Sequence, residues 1–435
     1  MKYAVVTFGC RVNQADSLAA EEGLLALGGT ATTPEHADVV IVNTCSVTAS
    51  ADQAARQTIR RVSRINPTAR VVVTGCYATR RPEDISQLPQ VAHVLPNDEK
   101  PQLVQVVRGL SPEERATVTT ADRSTEGEGA CGAAVEPGIA GRTAFTLRVQ
   151  TGCGERCAYC IIPTTRGRPR SVPIDTLLGE VVRATRAGFK EIALTGVHLG
   201  SYGRDLDPAV TLLDLLRAFA EWAARGSDCA AGEHVLFRIS SLEPMDCSRE
   251  IIDLVANAGC FAPHFHLPLQ HASDRVLGAM RRPYSIGYYR TLVDHLRSSI
   301  PHASIGTDII VGFPGEDIDD FARLLEYLES CPLTHIHVFP YSDRPGTAAS
   351  SMDGKIPGAT VRERARVVRQ LGQRLSLAFR DSQRGTVQRG LTLDDGTLVV
   401  TENYLKVRIP EGRTRNQWVR VKVTGSGDPL TGEVL

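Results

Sequence analysis

Three cysteines fall close together in Cys153-Gly154-Glu155-Arg156-Cys157-Ala158-Tyr159-Cys160, a C-x3-C-x2-C spacing. Thiolates are soft ligands that suit iron–sulfur clusters, and three on one short loop can hold three irons of a cubane. The fourth iron is then left with an open position, which a catalytic centre needs and an electron-transfer centre avoids. Structural zinc usually takes four ligands in paired spacing, and no nearby His completes such a set here.

Cys10, Cys45 and Cys76 are far apart in sequence, yet each follows an apolar run: Thr7-Phe8-Gly9-Cys10, Val42-Asn43-Thr44-Cys45 and Val73-Thr74-Gly75-Cys76. If those runs are parallel strands, their carboxyl ends share one edge of a sheet, where ligand sites form. The three thiols then converge. Gly9 and Gly75 would let the backbone turn tightly beside a bulky inorganic group. The competing reading is three core cysteines, common inside α/β sheets. Cys131, Cys229, Cys247, Cys260 and Cys331 share no ligand spacing and receive no function.

Arg166, Arg168 and Arg170 lie just beyond the loop triad and could grip nucleic-acid phosphates, since the guanidinium fork matches phosphate geometry. Basic residues are often simply solvated, and only 6 of the 49 cationic residues are Lys, so an Arg bias runs through the chain. Asp308 lies within the strand run Thr307-Asp308-Ile309-Ile310-Val311, where a charged residue needs a partner.

These residues need elements to position them. Runs at Tyr3 to Phe8, Val39 to Val42 and Val71 to Val73, with a helix-like stretch from Asn13 to Leu27, predict a parallel sheet covered on both faces. From about Ser111 to Gly141 the composition turns to Glu, Gly, Thr, Ala and Pro, which reads as a linker. Strand-like segments then recur at Phe145 to Val149, Ile192 to Leu194, Val235 to Ile239, Phe265 to Leu269, Ile309 to Val311 and Ile336 to Phe339. Six strand–helix units predict an incomplete βα barrel, with active-site loops at the strands' carboxyl ends. A doubly wound sheet would give the same pattern. Thr195-Gly196-Val197-His198 and Ser240-Ser241-Leu242-Glu243-Pro244 fall at two such ends; helix capping and ordinary loop polarity are their plainer readings. After an Arg-rich helix from Val361 to about Arg380, short strands with Asp395-Gly396 and Gly425-Ser426-Gly427 turns predict a small all-β module. The expected fold is α/β, with domains over 1–115, 143–375 and 376–435 and a linker over 116–142.

The chain's 435 residues, 42% hydrophobic and 23% charged, suffice for two or three packed domains. Forty-nine basic residues balance forty-nine acidic ones, so nucleic-acid binding must come from a local patch. From Thr360 onward 14 Lys or Arg face 8 Asp or Glu, making that end net positive. No apolar run of membrane-spanning length and no signal-peptide pattern occurs, which favours the cytosol and thiol ligands over disulfides.

The loop triad, with Tyr159 just before its last cysteine, resembles the radical S-adenosylmethionine enzymes. With Phe8-Gly9-Cys10-Arg11-Val12-Asn13-Gln14, Asn43-Thr44-Cys45-Ser46-Val47-Thr48, Val73-Thr74-Gly75-Cys76-Tyr77-Ala78 and Cys160-Ile161-Ile162-Pro163 through Arg166-Gly167-Arg168, the chain is similar to that superfamily's methylthiotransferase branch. Among its members it looks nearest to those acting on N6-threonylcarbamoyladenosine in tRNA. Thr401-Glu402-Asn403-Tyr404-Leu405-Lys406-Val407 resembles the signature of a TRAM-type RNA-binding barrel. Gly154-Glu155-Arg156 departs from the small amides and aromatic that relatives usually carry. The resemblance implies two 4Fe-4S clusters, one on Cys10, Cys45 and Cys76 and one on Cys153, Cys157 and Cys160. It also implies S-adenosylmethionine, cleaved to a 5′-deoxyadenosyl radical, with Tyr159, Thr195, Gly196, Ser241 and Glu243 about the cofactor. Expected partners are the tRNA anticodon stem-loop, gripped by Arg166, Arg168 and Arg170, and an electron donor such as a flavodoxin or ferredoxin; the chain is expected to be a cytoplasmic monomer. The rivals are methylthiolation of isopentenyladenosine or of a ribosomal-protein aspartate, and a non-catalytic RNA-binding protein with structural zinc.

Overall fold

The computed structural model describes residues 1–110, 136–138, 143–226 and 235–435, which form two compact units. The predicted linker, 116–142, lies outside the described residues except for 136–138, as do Cys131 and Cys229. Among the described residues no helix is long and apolar enough to cross a membrane.

The first unit contains residues 1–110 together with 152–155 and 160–168. Its five strands are β1 (Lys2–Thr7), β2 (Thr30–Ala31), β3 (Val39–Thr44), β4 (Arg70–Gly75) and β5 (Val91–Leu95), all parallel in the order β2-β1-β3-β4-β5. Every residue of β3 is buried, as expected of a strand covered on both faces. Ala20 and Leu24 of helix Arg11–Ala26, with Leu103 and Val107, cover Tyr3, Val39, Ile41 and Val72 on one face. Ala55, Ile59 and Val62 of helix Ala49–Ile65 cover Val40, Val42, Val71 and Val73 on the other. Each large aliphatic side chain buried this way contributes about 1.5–3 kcal/mol.

The second unit carries the six expected strands, all in parallel ladders. They are β6 (Phe145–Arg148), then, after a short antiparallel pair β7 (Gln150–Thr151) and β8 (Arg170–Ser171), β9 (Glu191–Thr195), β10 (Leu236–Ile239), β11 (His264–His266), β12 (Ser304–Val311) and β13 (His335–Pro340). They pair as β10-β9-β6 and β11-β12-β13, and a parallel bridge from Phe237 to Phe261 joins the two sets. Helices stand between successive strands from Ile174–Arg186 to Ile318–Ser330, and Gly358–Ser382 follows the last strand. This is a partial barrel rather than a doubly wound sheet, because the strands follow one another in chain order across the sheet.

Five further strands, β14 (Val387–Leu393), β15 (Leu398–Thr401), β16 (Lys406–Arg408), β17 (Trp418–Gly425) and β18 (Leu430–Val434), close into a barrel in the order β14-β15-β16-β18-β17. Along β17, Val419, Val421 and Val423 point inward while Arg420, Lys422 and Thr424 are exposed. Arg238 seats this barrel on the partial one. Fully buried, it pairs with Glu191 at 2.7 Å, donates to the carbonyl of Glu402 at 2.9 Å and stacks over the Tyr404 ring at 4.6 Å.

Candidate metal centres

In the first unit, Thr44 and Gly75 are register partners on adjacent strands, so Cys45 and Cys76 emerge side by side at the carboxyl edge. Cys10 follows β1, which pairs with β3 from the other side. Two glycines make the convergence possible. Gly9 has φ +88°, and a Cβ there would stand 2.7 Å from the Sγ of Cys45. Gly75 has φ +98°, and a Cβ there would overlap the carbonyl oxygen of Thr44. Asn13 locks the edge: its Nδ2 donates to the carbonyls of Phe8 at 2.7 Å and Thr44 at 3.0 Å.

Cys45 and Cys76 are buried and Cys10 is exposed. Burial pushes the Cys45 thiol up to about 11, and the neighbouring Cys76 and Cys10 add to the rise. Such a thiol loses its proton readily only where a metal cation takes its place on sulfur, the proton passing to solvent or a base, as iron of a cluster would require. Three thiols on a glycine-lined edge, one open to solvent, therefore fit an iron–sulfur group.

The structure corrects the reading of Arg166 as a phosphate grip. It is 5% exposed, with its guanidinium bonded to Oδ1 of Asn13 and, at 3.1 Å, to Oδ2 of Asp16. Burial opposes its charge, yet Cys76, Asp16 and Cys10 outweigh that and hold it above its ordinary value, with a hydrogen bond to Cys76. A guanidinium spent in this way has no fork left for RNA. Arg168 and Arg170 are exposed.

Cys153 belongs to the same unit, and its backbone N–H donates to the carbonyl of Gly167 at 3.0 Å. Gly152, at φ +78°, permits this return of the chain, since a Cβ would overlap the Arg168 carbonyl. Cys157 belongs to the second unit. Arg282 donates through Nη1 to its Sγ at 3.2 Å, pairs with Glu243 and donates through Nε to the Tyr284 hydroxyl at 3.1 Å. The backbone of Ala158 is pinned by Met280 and Ala349, and Tyr159 packs on Val276, Met280, Ile310 and Phe313. Cys153, Cys157 and Cys160 are each half-buried. Their spacing along one loop is the donor chemistry that suits a cluster with one open iron.

Thr195 ends β9, buried, and Gly196 follows; Oε1 of Gln150 accepts from the N–H groups of Val197 and His198, both at 3.0 Å. Ser241 is exposed just after β10. Asp308 finds its partners in His266 Nε2 at 2.9 Å and His337 Nδ1 at 3.3 Å. Burial would raise its carboxyl, but those imidazoles hold it well below the usual carboxylate range. Cys247, Cys260 and Cys331 are buried, with thiols pushed up by that burial, as for small apolar residues.

Sequence reasoning missed Arg282, Asp16 and Lys100. Asp16 had a signal: it lies one helical turn after Asn13, on the face that carries Cys10's helix onto the sheet. Arg282, more than a hundred residues from Cys157, had none.

Two families match the chain: the uncharacterized protein family UPF0004 over residues 2–96 and the radical SAM superfamily over residues 147–328. A threonylcarbamoyladenosine tRNA methylthiotransferase from Aquifex aeolicus is 35% identical, covering 97% of this chain and 100% of the relative. One of the same description from Thermotoga maritima is 34% identical over 86% of this chain and 83% of its own. A tRNA-2-methylthio-N(6)-dimethylallyladenosine synthase from Chloroflexus aurantiacus is also 34% identical, over 86% of this chain and 78% of its own. Among solved structures, a radical S-adenosylmethionine methyltransferase from Kitasatospora setae superposes with a TM-score of 0.55 at 16% identity, over 80% of this chain and 74% of that one, a likeness of fold.

Proposed function

The chain belongs to the radical S-adenosylmethionine methylthiotransferases, and from that premise we propose that it converts N6-threonylcarbamoyladenosine beside the tRNA anticodon to its 2-methylthio derivative. The observation that carries this reading is the meeting of Cys10, Cys45 and Cys76 at one sheet edge, in a chain that also holds the loop triad. An enzyme of this family leaves no place for the reading of a non-catalytic zinc protein.

An aromatic C–H has no acidic proton and no leaving group, so acid–base catalysis has little to act on. When bound, two 4Fe-4S clusters and S-adenosylmethionine supply a carbon-centred radical and a transferable methylthio group. The chain's own residues hold and orient them. Cys153, Cys157 and Cys160 ligate one cluster and Cys10, Cys45 and Cys76 the other. Arg282 braces Cys157 and keeps Glu243 in place. Tyr159, Thr195, Gly196, Ser241 and Glu243 hold the cofactor at the strand ends. Arg168 and Arg170 meet RNA phosphates, and the closed barrel offers Lys406, Arg408, Arg420 and Lys422, all exposed, to the anticodon stem-loop. Unpaired loop bases are the ones a protein can draw out. A flavodoxin or ferredoxin supplies electrons, and the enzyme acts as a cytoplasmic monomer.

The dimethylallyladenosine relative, at 34% identity, favours a second reading with isopentenyladenosine as substrate. Nucleoside mass spectrometry of tRNA from cells with the gene, without it, and with a Cys157→Ala copy separates them. Loss of 2-methylthio-N6-threonylcarbamoyladenosine in both deficient strains is expected. Loss of the isopentenyl counterpart alone would overturn the substrate, and persistence of every methylthiolated nucleoside would turn attention to a protein aspartate.

A further inference from the structure

A buried charge far from solvent needs a counterpart, and Arg166 has more than one. Its guanidinium lies among Asn13, Asp16 and Cys76 in the first unit, bonded to all three. Asp16 is shared: Lys100 Nζ reaches the same Oδ2 at 2.6 Å, and only 11% of the Lys100 side chain is exposed. Arg166 and Lys100 therefore share one carboxylate, and burial, together with Arg166, holds the Lys100 ammonium below its ordinary value although Asp16 opposes this, so the guanidinium is the firmly held positive charge beside the three thiols. Asn97 completes the setting. Its Nδ2 lies 3.7 Å from the Cys76 Sγ and 2.8 Å from the Thr165 carbonyl, which fixes the short helix Ile162–Arg166 that delivers the guanidinium. An arginine with only a structural task would be satisfied by Asp16 and Asn13; this one also reaches sulfur.

We propose that Arg166 is the charge partner of the cluster held by Cys10, Cys45 and Cys76, a positioning residue whose fixed positive charge raises that cluster's reduction potential. The inference rests on the two-cluster reading. Reduction here takes one electron from an external low-potential donor, breaks no bond and makes the cluster one unit more negative. A guanidinium at the ligand sulfur, screened little by water, stabilises the reduced state more than the oxidised one. Arg166 stands six residues after Cys160. One short segment thus supplies a ligand to the radical cluster and a charge to the other.

The test uses the full chain with Cys153→Ala, Cys157→Ala and Cys160→Ala, reconstituted anaerobically so that a single cluster remains, and titrated with titanium(III) citrate under electron paramagnetic resonance. Arg166→Gln is expected to move the midpoint negative by at least tenfold in the reduction equilibrium, about 59 mV for one electron. Arg166→Lys should recover most of that shift. Asp16→Asn, which removes the opposing anion, should move it positive. A purely structural role would not give opposite signs. Unchanged midpoints in Arg166→Gln and Asp16→Asn overturn the proposal. If Arg166→Gln holds no iron, Asp16→Asn decides: a positive shift supports the proposal, and no shift or a negative one overturns it. If the parent itself, with Cys10, Cys45 and Cys76 intact, holds no cluster, the two-cluster reading falls and takes the proposal with it.

Discussion

Arg282 donates to the Sγ of Cys157 at 3.2 Å, with its side chain 2% exposed and its remaining nitrogens taken up by Glu243 and Tyr284. Burial opposes that charge, but Glu243, Tyr159, Tyr284 and Cys157 outweigh it and hold the guanidinium above its ordinary value. The same device recurs in the other unit, where Arg166 reaches Cys76. In each triad one thiol is met by a buried arginine that also holds a carboxylate, Glu243 in one case and Asp16 in the other.

Removing Arg282 should therefore harm both chemistry and folding. Arg282→Met is expected to lower formation of 5′-deoxyadenosine by about a hundredfold, the scale of losing one preorganised donor in a dry site. It also leaves Glu243 without its partner, costing about 3 kcal/mol of stability. Product analysis by mass spectrometry and a thermal melt check the two effects; an unaltered rate would show that the contact to Cys157 is incidental.

Gly75→Ala places a methyl group against the Thr44 carbonyl at a backbone conformation that L side chains rarely adopt. The expected result is a reconstituted protein with about half the iron, still cleaving S-adenosylmethionine but making no methylthio product. Iron analysis beside 5′-deoxyadenosine assays measures this directly. Full iron with full activity would mean the edge tolerates a wider cradle.

Stability should fall on the acid side partly through His271. Burial pushes this imidazole down to about 4, with Asp320 acting in the opposite direction, and its Nδ1 accepts from the Ser273 N–H as a neutral ring must. The ring is neutral in the folded state and titrates near 6.5 when unfolded. Its contribution is complete above about pH 6.5 and is lost as pH drops toward 4, by up to about 3 kcal/mol. Melting temperatures of the wild type and His271→Gln between pH 7 and 4.5 are expected to converge as the pH falls; parallel curves would contradict this assignment.

Along β16 and β17 the cations alternate outward, with Lys406, Arg408, Arg420 and Lys422 exposed while Val407 and Val421 fill the barrel. A Lys406→Glu, Arg408→Glu, Lys422→Glu variant is expected to bind tRNA at least tenfold more weakly, with a salt dependence flatter by up to about three units. Filter binding across a salt series gives both quantities. Weaker binding with an unchanged slope would indicate lost barrel packing instead of lost phosphate contacts.

The elements were legible where composition was one-sided. Val39 to Val42 and Val71 to Val73 are continuous β-branched runs, and they became β3 and β4 buried on both faces. The strand-end placement of Cys10, Cys45 and Cys76 followed from those runs and from the position of Gly9 and Gly75. What could not be read was the tertiary destination of long charged side chains. Arg166 looked like Arg168, two residues on in the same basic stretch; one turned inward to Asp16 and the other to solvent, and only Asn13 and Asp16, 150 residues upstream, decide between them. Asp308 was recognisable as a charge in need of a partner. Its partners, His266 and His337, lie on the flanking strands, and only the registers of β12 with β11 and with β13 bring them to it.

The strand-end triad is expected to hold a second cluster, required for sulfur transfer and not for radical generation. Purified protein, reconstituted anaerobically, should be incubated with S-adenosylmethionine, reductant and an anticodon stem-loop bearing N6-threonylcarbamoyladenosine, beside a Cys45→Ala variant. Wild type should yield 5′-deoxyadenosine and the 2-methylthio nucleoside, while Cys45→Ala yields 5′-deoxyadenosine with no methylthio product. Methylthio product from Cys45→Ala at the wild-type rate would contradict the two-cluster reading outright.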